Sequence, residues 1–252
     1  MNRRHALKAL TGLALCPLCT STGFAVEATH WTYRGTAGPD KWGDVDAESK
    51  VCSVGSQQSP IDILGSIRAQ LPPLRISWGK NADTIVNNGH TIQLNAGQGN
   101  TLSFGSGPYR LLQFHFHHPS EHLIGGKRFA MEAHFVHAHA SGALAVVAAL
   151  MVAGKPNPVF SRIISTMPTH EGETVKADSA INPNGLLARG RHAYYRYPGS
   201  LTTPPCSETV EWLLLTNPIQ VADADITAFA NVYEMNARPA QKVNRRAVLR
   251  SE

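Results

Sequence analysis

Cysteine and charge are both scarce here, with four cysteines and 16% charged residues in 252. Set against 42% hydrophobic residues, that balance excludes a chain disordered by composition. There is no long run of like charge, no repeat of solenoid period and no apolar stretch able to cross a bilayer. These absences argue against an interaction tail, a repeat array and a membrane span. The H-E-x-x-H pattern is missing too, which removes the helix-borne zinc peptidase. What the chain does have is punctuation. Its 21 glycines and 16 prolines are spread along the whole length, the pattern of many short strands and turns.

The first 25 residues read as an export signal. Met1-Asn2-Arg3-Arg4 is a basic opening, Ala6 to Cys19 is largely apolar, and small residues lead to a cut after Ala25 or Ala28. Arg3-Arg4-His5-Ala6-Leu7-Lys8 also looks like a twin-arginine signal. The mature protein is then expected in the periplasm, as one domain over residues 26–252. Removing the signal takes away three basic residues and no acid, leaving twenty basic against eighteen acidic. A nucleic-acid partner loses its support. Cys16 and Cys19 leave with the signal, and Cys52 and Cys206 remain. In an oxidising compartment these two form one long-range disulfide or stay as two buried thiols.

Alternating segments separated by turn signals run through the mature chain. They include Thr84 to Asn87, Thr91 to Asn95, Tyr109 to His118, Phe129 to Ala138, Leu144 to Val152, His192 to Tyr197 and Thr209 to Thr216. Helical patterns are few: Val159 to Ser165, a turn near Asn184 to Ala188, and Ala224 to Tyr233. No composition break marks a second domain. The pattern predicts one mainly-β, mixed α+β domain with short peripheral helices.

Seven of the twelve histidines fall between positions 115 and 139. In a strand, residues two apart share a face. Gln113, His115 and His117 therefore share one face while Phe114 and Phe116 share the other. Glu132, His134 and Val136 share a face of the next segment, and a hairpin through Gly125-Gly126 sets that face alongside. Three neutral imidazoles at His115, His117 and His134 would leave a tetrahedral zinc one open position, the mark of a catalytic site. A ligand histidine donates its other ring N–H to a neighbouring acceptor, and Gln113 and Glu132 are placed to receive it. His118, His137 and His139 have opposite or undetermined parity and are read as surface residues.

At this point the residues carry a resemblance. Gln113-Phe114-His115-Phe116-His117, Ser120-Glu121-His122 and Glu132-Ala133-His134-Phe135-Val136-His137 resemble the α-class carbonic anhydrases. Asn88-Gly89-His90, Ser200-Leu201-Thr202-Thr203-Pro204-Pro205, Val210-Glu211-Trp212, Gln58-Ser59-Pro60-Ile61-Asp62-Ile63 and Gly38-Pro39-Asp40-Lys41-Trp42 are similar to further motifs of that family. The likeness runs from about His30 to Arg246. His118-Pro119 is a shorter link to Ser120 than in vertebrate members, which points to a bacterial form.

The resemblance implies a large, twisted, mostly antiparallel central sheet with zinc at the bottom of a conical cleft. It implies reversible hydration of carbon dioxide to bicarbonate and a proton through a zinc-bound hydroxide. Thr202 would orient that hydroxide while donating to Glu121, its backbone N–H would hold a substrate oxygen, and Thr203 would line the polar side. Val136, Val146, Leu201 and Trp212 match the apolar wall that accepts carbon dioxide. His90 matches the proton shuttle, and Tyr33 and Gln93 match residues that order cleft water. Cys52 and Cys206 match the disulfide of secreted and bacterial members. Subunit pairing into a homodimer is common among bacterial relatives, although no residue of this chain establishes it. Two rival functions remain on the same fold. A zinc-dependent esterase would use the same metal, and a non-catalytic binding or adhesion protein would be expected to lack a ligand histidine.

Overall fold

The structure, a computed structural model, describes residues 31–105, 107–187 and 193–252. The signal segment with its cut sites, His30 and His192 lie outside the described residues. Fifteen strands occur among the described residues, beginning with β1 (Asp62–Ile63), β2 (Ile67–Ala69), β3 (Arg75–Ser77), β4 (Ala82–Asn87) and β5 (Ile92–Ala96). Next come β6 (Thr101–Ser103), β7 (Pro108–His117), β8 (Leu123–Ile124), β9 (Lys127–Arg128) and β10 (Met131–Ala138). The last are β11 (Leu144–Ala153), β12 (Thr174–Lys176), β13 (Tyr194–Gly199), β14 (Val210–Val221) and β15 (Leu249–Ser251). The helices are α1 (Val51–Val54), α2 (Pro158–Thr166) and α3 (Asp223–Ala230), with short 3-10 turns between strands.

Twelve strands form one sheet, running β12-β4-β5-β7-β10-β11-β14-β13-β15-β2, with β3 and β6 joined at β7. Its pairs are antiparallel except β11 with β14 and β15 with β2. The mostly antiparallel sheet expected from the sequence is present. The Gly125-Gly126 turn closes only the short β8–β9 hairpin, which pairs with β1 in a separate three-stranded sheet. That hairpin is inserted in the chain between β7 and β10, which nevertheless pair directly.

The central strands are buried on both faces, so β11 reads as an unbroken apolar run where an alternating strand would be half polar. On one face Phe114, Phe116, Ala133, Phe135 and Val147 join the larger core, which α2 and α3 cover with Phe160, Ile163, Ile226 and Phe229. Asn157 starts α2 by accepting from the Val159 and Phe160 N–H groups, at 3.0 and 3.1 Å. The opposite face carries a smaller core that includes Val136, Val146, Ala148, Leu150, Tyr197 and Trp212. The cluster of histidines lies on that second face.

His137 corrects the sequence reading, because it is fully buried and not on the surface. Its parity matches Phe135, and both rings stack on Trp78, whose indole N–H donates to His137 Nε2 at 3.1 Å. His118 and His139 are half-buried. Burial pushes the His137 pKa down to about 3, so the ring is neutral in the fold. Between pH 6.5 and 3 the unfolded chain takes up a proton that the folded chain refuses, so stability falls as pH falls. That loss is about 1.4 kcal/mol per pH unit. His137→Gln should therefore lose about 2 kcal/mol less than the natural chain between pH 6.5 and 5, read from urea midpoints. Parallel pH profiles for the two proteins would contradict this role.

Candidate metal centre

The antiparallel register of β7 and β10 assembles the histidine cluster. His134 lies directly opposite His115, and Glu132 opposite His117. A bulge follows, since Val136 pairs with Gln113 and His137 with Leu111, leaving Leu112 as the extra residue. The three rings sit 4.5–5.3 Å apart, centroid to centroid. One ligand atom from each of His115, His117 and His134 lies within 4.8 Å of the others.

Each ring is held through the nitrogen that faces away from this meeting point. His115 Nδ1 bonds Gln113 Oε1 at 2.8 Å, and His134 Nε2 bonds Glu132 Oε1 at 2.8 Å. Those are the two partners expected from strand parity. His117 Nδ1 bonds the Asn236 carbonyl at 2.7 Å, a partner 119 positions away that sequence reasoning missed. A carbonyl or carboxylate can only accept, so in each pair the ring nitrogen must donate. That fixes the tautomers and leaves His115 Nε2, His117 Nε2 and His134 Nδ1 as three convergent lone pairs. Burial pushes the His115 pKa well below its ordinary value, helped by the neighbouring rings, and burial likewise lowers that of His117. Metal ligation requires such neutral imidazoles.

His117 Nε2 is buried and makes no hydrogen bond. An orphaned buried nitrogen is costly unless something else occupies its lone pair. With His115 Nε2 and His134 Nδ1 aimed at the same place, the residues fit a tetrahedral metal that prefers nitrogen ligands. A second grouping, His122 with Glu132 and His134, does not fit one. Glu132 Oε1 already bonds His122 Nδ1 at 2.6 Å and His134 Nε2 at 2.8 Å. Its Oε2 accepts from the N–H groups of Glu121 and His122 at 2.9 and 2.7 Å, and His122 Nε2 bonds the Tyr197 hydroxyl at 2.6 Å. Every atom there is spent on orienting His134.

Glu121 is fully buried. Its Oε1 accepts from the Arg238 N–H at 2.8 Å. Its Oε2 lies 3.6 Å from His117 Nε2 and 3.9 Å from His134 Nδ1 and has no hydrogen-bond partner. Arg238 was also missed, although its guanidinium ties this region to the Gln58 side chain and to the Ser59 and Cys52 carbonyls. The Cys52–Cys206 disulfide is formed, closing a separation of 154 residues. Loop closure of that size contributes roughly 4–5 kcal/mol in the chain-entropy model. Cys206 N–H donates to the Thr203 carbonyl at 2.8 Å, so the disulfide anchors the loop that carries Thr202 and Thr203.

The apolar residues singled out in the sequence come together. Val136, Val146 and Trp212 share one cluster with Leu201 packed against it, and the Trp212 ring lies 4.9 Å from that of His134. Thr202 is buried in the loop that follows β13. Gln93 pairs in register with His115 and donates to Asn95 Oδ1 at 2.9 Å. His90 stacks on Trp31 at 3.6 Å, with Tyr33 edge-on at 6.5 Å. Burial raises the Tyr33 pKa well above its ordinary value, and the Glu121 charge adds to this. Asn236 joins several of these parts. Its side-chain amide donates to the carbonyls of His90 and Phe116, both at 3.0 Å, while its Oδ1 accepts from the His118 N–H at 2.7 Å.

Fold and site thus define a mainly-β protein whose three imidazoles can hold a metal ion. Comparison with known proteins narrows that class. Residues 37–252 match the family model of the eukaryotic-type carbonic anhydrases. The chain is 37% identical to a carbonic anhydrase of Pectobacterium atrosepticum, covering 96% of this chain and 100% of that one. It is 40% identical to one of Neisseria gonorrhoeae, covering 97% and 98%. Its fold superposes on the α-carbonic anhydrase of Thermovibrio ammonificans with a TM-score of 0.85, at 39% identity over 88% of this chain and 99% of that one. The chain belongs to the eukaryotic-type, or alpha, carbonic anhydrase family, and its enzymatic class is that of the lyases.

Proposed function

We propose that this chain catalyses the reversible hydration of carbon dioxide at a zinc ion held by His115 Nε2, His117 Nε2 and His134 Nδ1. The observation that carries this reading is the convergence of three oriented lone pairs, that of His117 buried without a partner, beside an apolar wall. When bound there, zinc would act as a Lewis acid that lowers the pKa of coordinated water to about 7. The chain's own residues would supply position and proton handling. Glu121 Oε2, with no other partner, would accept a hydrogen bond from the Thr202 hydroxyl, turning the Thr202 lone pair toward the cleft to orient the attacking oxygen. The Thr202 N–H and the Thr203 hydroxyl would hold a bicarbonate oxygen. Val136, Val146, Leu201 and Trp212 would receive carbon dioxide, which offers no hydrogen-bond donor.

His90 would carry the released proton to buffer, since imidazole is the side chain best suited to proton exchange near neutral pH. Tyr33 and Gln93 would order the intervening water. Residues 1–25 would export the chain to the periplasm, a reading that the Cys52–Cys206 disulfide supports.

Stopped-flow hydration of carbon dioxide by zinc-loaded protein tests the proposal. The expected result is a rate far above the uncatalysed one, abolished by a chelator and restored by zinc. A rate equal to the uncatalysed one in a sample carrying one zinc per chain would sink it. His90→Ala should slow turnover in weak buffer, with recovery on adding imidazole, and leave kcat/KM almost unchanged. Unaltered turnover would mean that a different group carries the proton.

A further inference from the structure

A cavity of about 580 Å³ opens on the side of the molecule bounded by β13, β14, β15 and the Gln57 loop. Three arginines line it, Arg196, Arg245 and Arg246, against one carboxylate, Glu211. Arg196 is already paired with that carboxylate at 2.6 Å. The other two cations are not neutralised by contact. Arg246 is half-buried, and its guanidinium donates only to carbonyls: Val243 at 2.9 Å, Pro198 at 3.2 Å, Gln58 at 2.8 Å and Lys242 at 2.7 Å. Burial lowers its pKa, with the Tyr197 and Glu208 charges acting the other way. Glu208 itself is engaged by the Gln57 N–H and the Gln58 side chain, at 2.7 and 2.9 Å. Arg245 is exposed, and no ion pair among the described residues includes it.

The cavity therefore carries two positive charges in excess of its one acid. Its wall also offers apolar surface at the exposed Pro198 and the half-buried Leu249. Four separate chain segments hold these groups, which gives the cavity a fixed shape. Its volume falls in the range of small-molecule sites, larger than a lone inorganic ion needs. Guanidinium groups present planar donors that match carboxylate and phosphate oxygens.

We infer that this cavity is a binding site for a small organic polyanion bearing carboxylate or phosphate groups, separate from the metal centre. The anion engages the Arg245 guanidinium, with the one Nη1–H of Arg246 not given to a carbonyl and the Arg246 charge behind it, while its carbon skeleton rests against Pro198 and Leu249. The site uses none of the groups assigned to the reaction, so it stands whether or not the catalytic proposal does.

The test is a titration of zinc-loaded protein with citrate, and separately with inorganic phosphate, followed by backbone amide NMR. The expected result is saturable shifts of the Arg245, Ala247 and Leu249 amides with citrate. Arg245→Glu should weaken that binding at least tenfold, about what loss of one charge-assisted contact produces. Lys127→Glu makes the same change in net charge at an exposed position outside the cavity lining and should leave it unchanged. Saturation by phosphate as well would place the specificity in the oxyanion; saturation by citrate alone would place it in the carboxylates. Citrate shifts that match those of sodium chloride at equal ionic strength, that centre on His115, His117 and His134, or that survive Arg245→Glu would overturn the inference.

Discussion

His117→Ala is expected to abolish carbon dioxide hydration and to leave the protein unable to retain zinc, with little loss of stability in the metal-free form. His117 Nε2 is buried without a hydrogen bond, so the metal-free fold already carries an unsatisfied polar atom there. Alanine removes that burden along with the ring, and its main further cost is the Asn236 carbonyl left without its donor at 2.7 Å. With metal present the balance reverses. Structural zinc binding is worth about 10–16 kcal/mol in all, so one ligand of three accounts for roughly 3–5 kcal/mol, or roughly 10²–10⁴-fold in affinity. A folded state that alone binds zinc gains stability with zinc concentration, and the variant should lose most of that gain. Thermal melts of both proteins with and without zinc, beside a zinc assay, check this. A variant that melts as the natural chain does under both conditions would contradict it.

Glu132 is expected to be nearly as intolerant of glutamine as of alanine. Its two oxygens accept from four donors: the N–H groups of Glu121 and His122, His122 Nδ1 and His134 Nε2. An amide nitrogen in place of either oxygen would face two donors with a third. Leaving such buried donors unsatisfied costs about 3 kcal/mol or more. Loss of the acceptor behind a metal ligand typically weakens zinc binding by about 10–100-fold. Glu132→Gln should therefore lower both the urea midpoint and zinc affinity, although it preserves shape.

The pH dependence follows with a definite sign. Burial alone would raise the Glu132 pKa, but the His122 and His134 rings and their hydrogen bonds overcome it and hold the carboxylate well below its usual range. A depressed carboxylate pKa contributes stability that is complete above the unfolded value, near 4.5, and is lost as pH falls below it. The natural chain should therefore lose this contribution in acid, on top of that from His137, whereas Glu132→Gln should not show it. A glutamine variant with unchanged stability and unchanged zinc affinity would show that the carboxylate is a bystander.

Much of the histidine cluster was legible in the sequence because a strand repeats every two residues. That period alone put His115 with His117, and His134 with Glu132, on shared faces, and the register of β7 with β10 sets His134 opposite His115. Gln113 and Glu132 were legible for the same reason, each two positions from its histidine. Asn236 was not, since a carbonyl 119 positions away in the chain leaves no local pattern. His137 was misplaced because alternation identifies a face but not what covers it. A sheet packed on both sides has no solvent face for such a residue to occupy. The hairpin through Gly125-Gly126 was real but smaller than expected, because β8 and β9 belong to a different sheet from β7 and β10. Strands of two or three residues, such as β2, β9 and β15, are too short for any period to register.

The claim on which the rest depends is that three particular nitrogens share one zinc ion. A crystal of the zinc-loaded protein, measured just above and just below the zinc absorption edge, tests it directly. The account predicts a single strong anomalous peak that vanishes below the edge. That peak should lie within bonding distance, about 2.0–2.1 Å, of His115 Nε2, His117 Nε2 and His134 Nδ1. No peak there, or a peak bound through His122 and Glu132, would contradict it.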